Sequence, residues 1–236
     1  MAIDPVHVGV NQSNLSNFSG THFFASEQGF SEQGLSGQSV EFWRAAQDLI
    51  HPALEVRQSG FEQLTSLGMN SHSPLVAYLL VSRLAEPDLR LRALIVKELS
   101  NLLNLPFNGN QAINEVLYYL KTNLSQLSRN QIVSLLQLVE AYPQSYPHVM
   151  KIIGNCSQAG DHLADILTDR HAAVSMRQQV ACLIGDIGYL CALPTLERLS
   201  ARLETRRNNG VPGCDRMNGE YDLLPSLKEA LNKLQN

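Results

Sequence analysis

PALEVRQSGFEQLTSLG, residues 52–68, decides the fold. Val56, Phe61, Leu64 and Leu67, with Gly60 beside Phe61, fall on one face of a helix with 3.6 residues per turn. Pro52 suits the entry to such a helix and Gly68 its exit. Counted from the arginine, the same register recurs three more times. With Arg57, Arg92, Arg129 and Arg177 as origins, 35, 37 and 48 residues apart, the residue four positions on is Phe61, Val96, Val133 or Ala181. Seven positions on stand Leu64, Leu99, Leu136 and Ile184, and ten positions on stand Leu67, Leu102, Val139 and Ile187. Three positions on come Gly60, Ile95, Ile132 and Val180; one before come Val56, Leu91, Ser128 and Met176, where only Ser128 is polar.

Outward from these four helices the pattern stays helical, with breaks at Pro and Gly and almost no strand signal. Helices are expected from Ser39, as a cap, to Ile50, from Pro52 to Gly68, and from the Ser73–Pro74 cap and first turn to Ala85. Others follow at 88–104, 110–123, 128–141, 146–157, 161–169, 172–190, 192–207 and 220–235. The expectation is about eleven helices and no sheet, an all-α chain.

The recurring unit resembles the HEAT repeat family, in which an antiparallel helix pair repeats and the second helix carries an Asp, then Val-Arg, then a run ending in Leu-Gly. Residues 52–68 have the Val-Arg and the Leu-Gly. Residues 87–99 (PDLRLRALIVKEL) have the Asp and a Leu-Arg, and residues 176–196 (MRQQVACLIGDIGYLCALPTL) resemble the Ile-Gly version followed by a Leu-Pro helix. The unit at Arg129 departs from the pattern, with Ser128 in place of an aliphatic residue and Glu140 where Gly is usual. The resemblance covers about 40–236 and implies a right-handed, armadillo-like α-solenoid of about four to five helix pairs, the second helices lining a concave face. Each pair buries its apolar stripe only by stacking on its neighbours. The origin arginines are expected to pack their stems and pair with an acidic group in the adjacent repeat.

Residues 1–39 differ in kind: Ser, Gln, Asn and Gly dominate, no Lys or Arg occurs, and Asp4, Glu27 and Glu32 are the charges. Such a stretch reads as a poorly structured N-terminal tail before the repeat domain of residues 40–236. Phe18, Phe23, Phe24 and Phe30 are candidates to dock on the domain or to recruit a partner. Across 236 residues, 18 Lys+Arg face 22 Asp+Glu, a net charge of −4 that supplies no whole-molecule field for nucleic acid. No run of 18 apolar residues suggests a membrane span, and residues 1–10 lack the basic and apolar regions of a secretory signal. The expected location is cytoplasmic. Cys156, Cys182, Cys191 and Cys214 are scattered, which fits reduced, mostly buried thiols better than a disulfide framework.

Local signatures of chemistry are missing: no phosphate loop, Gly-x-Gly-x-x-Gly, Gly-x-Ser-x-Gly, His-Glu-x-x-His or Cys-x-x-Cys occurs. No catalytic residue, metal ligand or cofactor is assigned. Asp161, His162, Asp165, Asp169 and His171 cluster, and the simplest reading is that Asp161 caps a helix. His51, His72 and His148 fall at helix junctions, and Trp43 reads as core.

The sharpest feature is basic. Arg198, Arg202 and Arg206 follow at four-residue spacing, with Arg207 adjacent and Arg216 across a loop, while Leu196, Leu199 and Leu203 take the other side. The stripe reads either as a solvated face paired with Glu197 and Glu204 or as a site for an anion or acidic partner. The long following segment, residues 208–219, points to the same end. On the second helices, Gln58, Glu62, Lys97, Ser134 and Gln178 escape the core and are the concave-face candidates.

The leading expectation is a non-catalytic scaffold for a protein partner, using the concave face or the Arg-rich end. The resemblance also brings two rivals: a bilin lyase or isomerase acting on a phycobiliprotein, for which Cys214 is the plausible thiol, and a nucleic-acid-binding protein of the alkylpurine DNA glycosylase kind. Few spare cations on the second helices weigh against the latter.

Overall fold

The computed structural model describes residues 32–68, 73–106, 110–208 and 219–235. They form eleven α-helices and no strand: α1 (Glu32–Leu49), α2 (Leu54–Ser66), α3 (Pro74–Ser82), α4 (Leu89–Leu102), α5 (Gln111–Leu124), α6 (Arg129–Ala141), α7 (Tyr146–Ile153), α8 (Ala159–Thr168), α9 (Val174–Ile187), α10 (Leu193–Asn208) and α11 (Leu223–Gln235). Single 3₁₀ turns at Pro143–Ser145, Leu190–Ala192 and Glu220–Asp222 lead into α7, α10 and α11. Glu41–Asn236 forms one compact unit, and the packing below concerns it. No helix among the described residues is long and apolar enough to cross a membrane.

Packing runs between neighbours. α3 lies on α5, α4 on α7, α8 on α9, α6 on α9, and α11 on both α9 and α10, the α9–α11 contact being the most extensive. One apolar core runs continuously from Phe42 to Ala230. The arginine register accounts for it: the residues three and seven positions on (Gly60, Ile95, Ile132 and Val180; Leu64, Leu99, Leu136 and Ile184) are all buried. At four positions on, Val133 is half-buried and the rest are buried; at ten, Leu67 and Ile187 are half-buried.

Caps explain the departures. Ser128 is exposed because it is the N-cap of α6, in a capping box with Gln131. Asp88 caps α4 by accepting from the Leu91 amide at 2.8 Å. Gly68 (φ 65°) and Gly188 (φ 86°) follow α2 and α9 in the left-handed region, where a side chain would be strained. Gly60 serves packing instead, since a Cβ there would lie 2.6 Å from the Leu49 amide nitrogen and 2.8 Å from the Ala45 carbonyl oxygen of α1.

Several expectations are corrected. α1 begins at Glu32, so position 39 falls inside the helix and not at its start; residues 1–31 of the expected tail lie outside the described residues. Trp43 is 56% exposed. Phe42, Ala45, Ala46 and Leu49 are the buried stripe of α1, which leaves Trp43 one position off it, edge-on against Phe42 at 5.3 Å between ring centroids. Asp161 is no cap: α8 starts two residues earlier, after Gln158, and Asp161 stands in its first turn. Ser73 holds the N-cap position of α3 with Pro74 next, but its side chain makes no capping bond. Of the thiols, Cys156 is buried, Cys182 half-buried and Cys191 exposed on the turn before α10, all three unbridged; Cys214 lies outside the described residues.

Candidate functional site

The four origin arginines form a ladder. Arg57 donates through Nη1 to the Pro52 and His51 carbonyls at 2.6 and 3.1 Å, and through Nη2 and Nε to Glu86 Oε1 at 2.6 and 3.1 Å. Arg92 donates to the Glu86 carbonyl at 2.6 Å and, across 42 residues, to the Ser134 carbonyl at 2.8 Å. Arg177 donates to the Leu167 carbonyl at 2.8 Å and reaches Glu220 at 3.4 Å. Each of these three buried guanidiniums thus ties down the chain just before its own helix, the preceding turn for Arg57 and Arg92 and the last turn of α8 for Arg177, and then reaches a later element. Arg129 makes only the second kind of bond, to Asp169 at 2.9 Å, and is exposed. Acidic partners occur for Arg57, Arg129 and Arg177, whereas Arg92 takes main-chain oxygens. Burial lowers the pKa of Arg92, with Glu86 and Asp88 opposing it, yet an arginine stays charged under all ordinary conditions. Asp169 is held below its usual range first by the His171 amide and then by Arg129.

A second polar group joins α7, α9 and α11. Tyr146 donates its hydroxyl proton to Asp186, and Lys233 donates to Asp186 at 2.8 Å and to Glu229 at 2.6 Å. Burial pushes Asp186 up, but the bonds from Lys233 and Tyr146 outweigh it and leave the carboxyl below its usual range. Burial, with Asp186 adding to it, pushes the Tyr146 hydroxyl up. Cys182 nearby is also raised, first by burial and then by Glu229 and Asp186, so its thiol keeps its proton near neutrality and is a poor nucleophile. The two described histidines at helix junctions have partners of their own: exposed His51 accepts from the Ala53 amide at 3.1 Å, and His148 lies 3.0 Å from the Ser100 hydroxyl. His72 lies outside the described residues. No group of three or more His, Cys, Asp or Glu able to hold a metal ion occurs among the described residues.

Two clefts are lined by charged side chains that form no ion pair among the described residues. One, about 370 Å³, lies between α8 and α10 and is lined by Asp165, Thr168, Thr195, Arg198 and Arg202 together with Ala164 and Leu199. Arg198 donates only to its own helix, at the Pro194 carbonyl, and the Nε of Arg202 is shut from solvent with no partner. The other cleft, about 840 Å³, lies between α1 and α2, with Glu41, Arg44, Asp48, Glu55, Ser59 and Gln63 along its walls. Its three carboxylates and one guanidinium make no ion pair among the described residues, so its lining is acidic. Sequence reading passed over this second cleft, although the signal was there: Glu41, Arg44 and Asp48 share one face of α1, and Glu55, Ser59 and Gln63 one face of α2.

The basic stripe is less uniform than its spacing implies. Arg198, Arg206 and Arg207 are exposed, but Arg202 is half-buried in the α8–α10 cleft. Arg206 pairs with Glu220 at 3.4 Å, sharing that carboxylate with Arg177. Neither expected partner is used: Glu204 pairs with Lys228 of α11 at 2.7 Å, and Glu197 makes no ion pair among the described residues. Arg216 lies outside the described residues. Of the second-helix candidates, Glu62 and Lys97 are exposed, while Gln58, Ser134 and Gln178 are half-buried, Gln178 donating to the Asp222 carbonyl at 2.8 Å. No family model matches the chain, and neither a curated protein nor a solved structure matches it.

Proposed function

We propose that this chain is a non-catalytic scaffold for protein partners, built as a solenoid of HEAT-like helix pairs. Neighbour-to-neighbour packing, the shared register and the arginine bonds spanning 29, 40, 42 and 43 residues support the repeat reading. For the function, one observation carries the proposal: the α1–α2 and α8–α10 clefts are each lined by several charged side chains that form no ion pair among the described residues, whereas the Arg57–Glu86 and Tyr146–Asp186–Lys233 groups are engaged in joining helices. Clefts of opposite charge on one rigid framework suit the capture of complementary surfaces.

The test is affinity capture from native-host lysate with the full chain and two charge-reversed variants, Glu41→Lys with Glu55→Lys at one cleft and Arg198→Glu at the other. Arg206 is left alone because its carboxylate partner also holds buried Arg177. The expected result is a specific protein retained by the parent chain and lost from one variant, with helicity unchanged in both. Identical capture by all three forms would remove the two surfaces from the account. Retention of nucleic acid alone, or of a coloured chromoprotein, would favour the glycosylase-like or bilin-handling alternative.

A further inference from the structure

We propose that the cleft between α8 and α10 receives a phosphorylated side chain presented by a peptide segment of the protein partner, an inference that rests on the scaffold reading and names the ligand of one of its surfaces. Arg198 and Arg202 stand one helical turn apart on α10, about 6 Å along its axis. Both line one cleft, and neither forms an ion pair among the described residues.

The Nε of Arg202 is the telling atom. It is closed to solvent and has no hydrogen-bond partner, so a small turn of this half-buried side chain brings its donor edge to an incoming acceptor and satisfies a donor that the free protein leaves unpaired. The Nε–Nη edge of a guanidinium accepts two oxygens of a phosphoryl group side by side, and the Nη groups of Arg198 supply donors from the next turn. Thr195 adds a hydroxyl that has no partner among the described residues, whereas the Thr168 hydroxyl already donates to the Ala164 and Asp165 carbonyls.

Charge and size narrow the ligand. A carboxylate offers two oxygens and saturates one fork; a phosphate monoester carries about −1.5 to −2 charge and three acceptor oxygens, enough for both arginines and the hydroxyl. Asp165 on the α8 wall opposes a free dianion but can accept an amide N–H from the backbone that carries the phosphate. That distinguishes a phosphopeptide from inorganic phosphate. At about 370 Å³ the cleft lies at the small end of ligand pockets, with room for one phosphorylated side chain and the backbone beside it.

The experiment measures anisotropy of labelled degenerate phosphoserine and phosphothreonine peptide libraries on the full chain. Unphosphorylated libraries, inorganic phosphate as competitor and single-stranded RNA serve as the other arms. Phosphorylated libraries are expected to bind, with Arg202→Gln, Arg202→Lys and Arg198→Gln each weakening binding about 10- to 100-fold and Arg207→Gln leaving it unchanged. Arg202→Lys keeps the charge and removes the fork, so its loss separates directed hydrogen bonding from general attraction. Arg198 is exposed, so its variant tests the cleft even where a change at half-buried Arg202 disturbs folding. No preference for the phosphorylated libraries, equal binding by the Arg198 and Arg202 variants, or tighter binding of RNA or of phosphate alone would each overturn the proposal. If phosphopeptides fail while lysate proteins are still captured, the cleft assignment falls and the scaffold reading stands; if both fail, both fall.

Discussion

Arg57→Ala is expected to lower the unfolding free energy by about 3–5 kcal/mol, the usual cost of removing one partner from a buried ion pair. The Glu86 side chain is fully buried, and its Oε2 has no partner even in the intact protein. Without the guanidinium, that carboxylate must be protonated or hydrated where the turn before α4 meets α2, and the His51 and Pro52 carbonyls lose their donor as well. Equilibrium urea denaturation followed by circular dichroism gives the number. The companion variant, Arg57→Met with Glu86→Leu, is expected to recover much of the loss, because a well-packed apolar pair of similar volume replaces a buried ion pair at little cost. A loss below about 1 kcal/mol for the single change would mean that Glu86 reaches water, as exposed pairs do.

Gly60→Ala should be the second large effect, although it lies mid-helix and alanine there improves intrinsic propensity by roughly 0.8–1.0 kcal/mol. The new methyl group would meet backbone atoms of α1 at 2.6–2.9 Å, and backbone cannot rotate away as a side chain does. Moving α1 as a body opens the contact between Phe42, Ala45, Leu49 and the Phe61–Leu64 face, and overpacking of this kind costs about 1–3 kcal/mol. A net loss is therefore expected in the same urea experiment, larger again for Gly60→Leu. A net gain would show that α1 is not pressed against α2 in solution.

The helical class and the core were legible in sequence because both follow from one periodicity. Once the arginine fixes the phase, the residues three, four, seven and ten positions on are dictated by 3.6 residues per turn, and they are the residues found buried or half-buried. Boundaries were legible where they depend on neighbours in the chain, as with α4, expected from residue 88 and found to start at Leu89 with Asp88 as its N-cap. What failed depends on phase within one helix or on distant partners. Trp43 misses the α1 stripe by one residue, and aromatic character alone does not give phase. The Arg206–Glu220 pair spans a segment of 14 residues, while the nearer acids Glu197 and Glu204 sat at plausible spacing and do not pair with it. A cleft needs two helices at a particular separation; for α1 and α2 that separation is set by Gly60, whose importance shows only once Ala45 and Leu49 are seen against it.

Trp43 has an experimental consequence. It is the only tryptophan in the chain, and more than half of it meets solvent in the native state. Indole emission follows the polarity around the ring, so the folded protein should already emit at the long wavelengths of hydrated tryptophan. Denaturation will then shift the spectrum little, and fluorescence melting curves would report stability poorly. The same residue becomes an optical sensor for whatever settles on α1: a partner covering that helix would shift the emission to the blue on a background that unfolding barely disturbs.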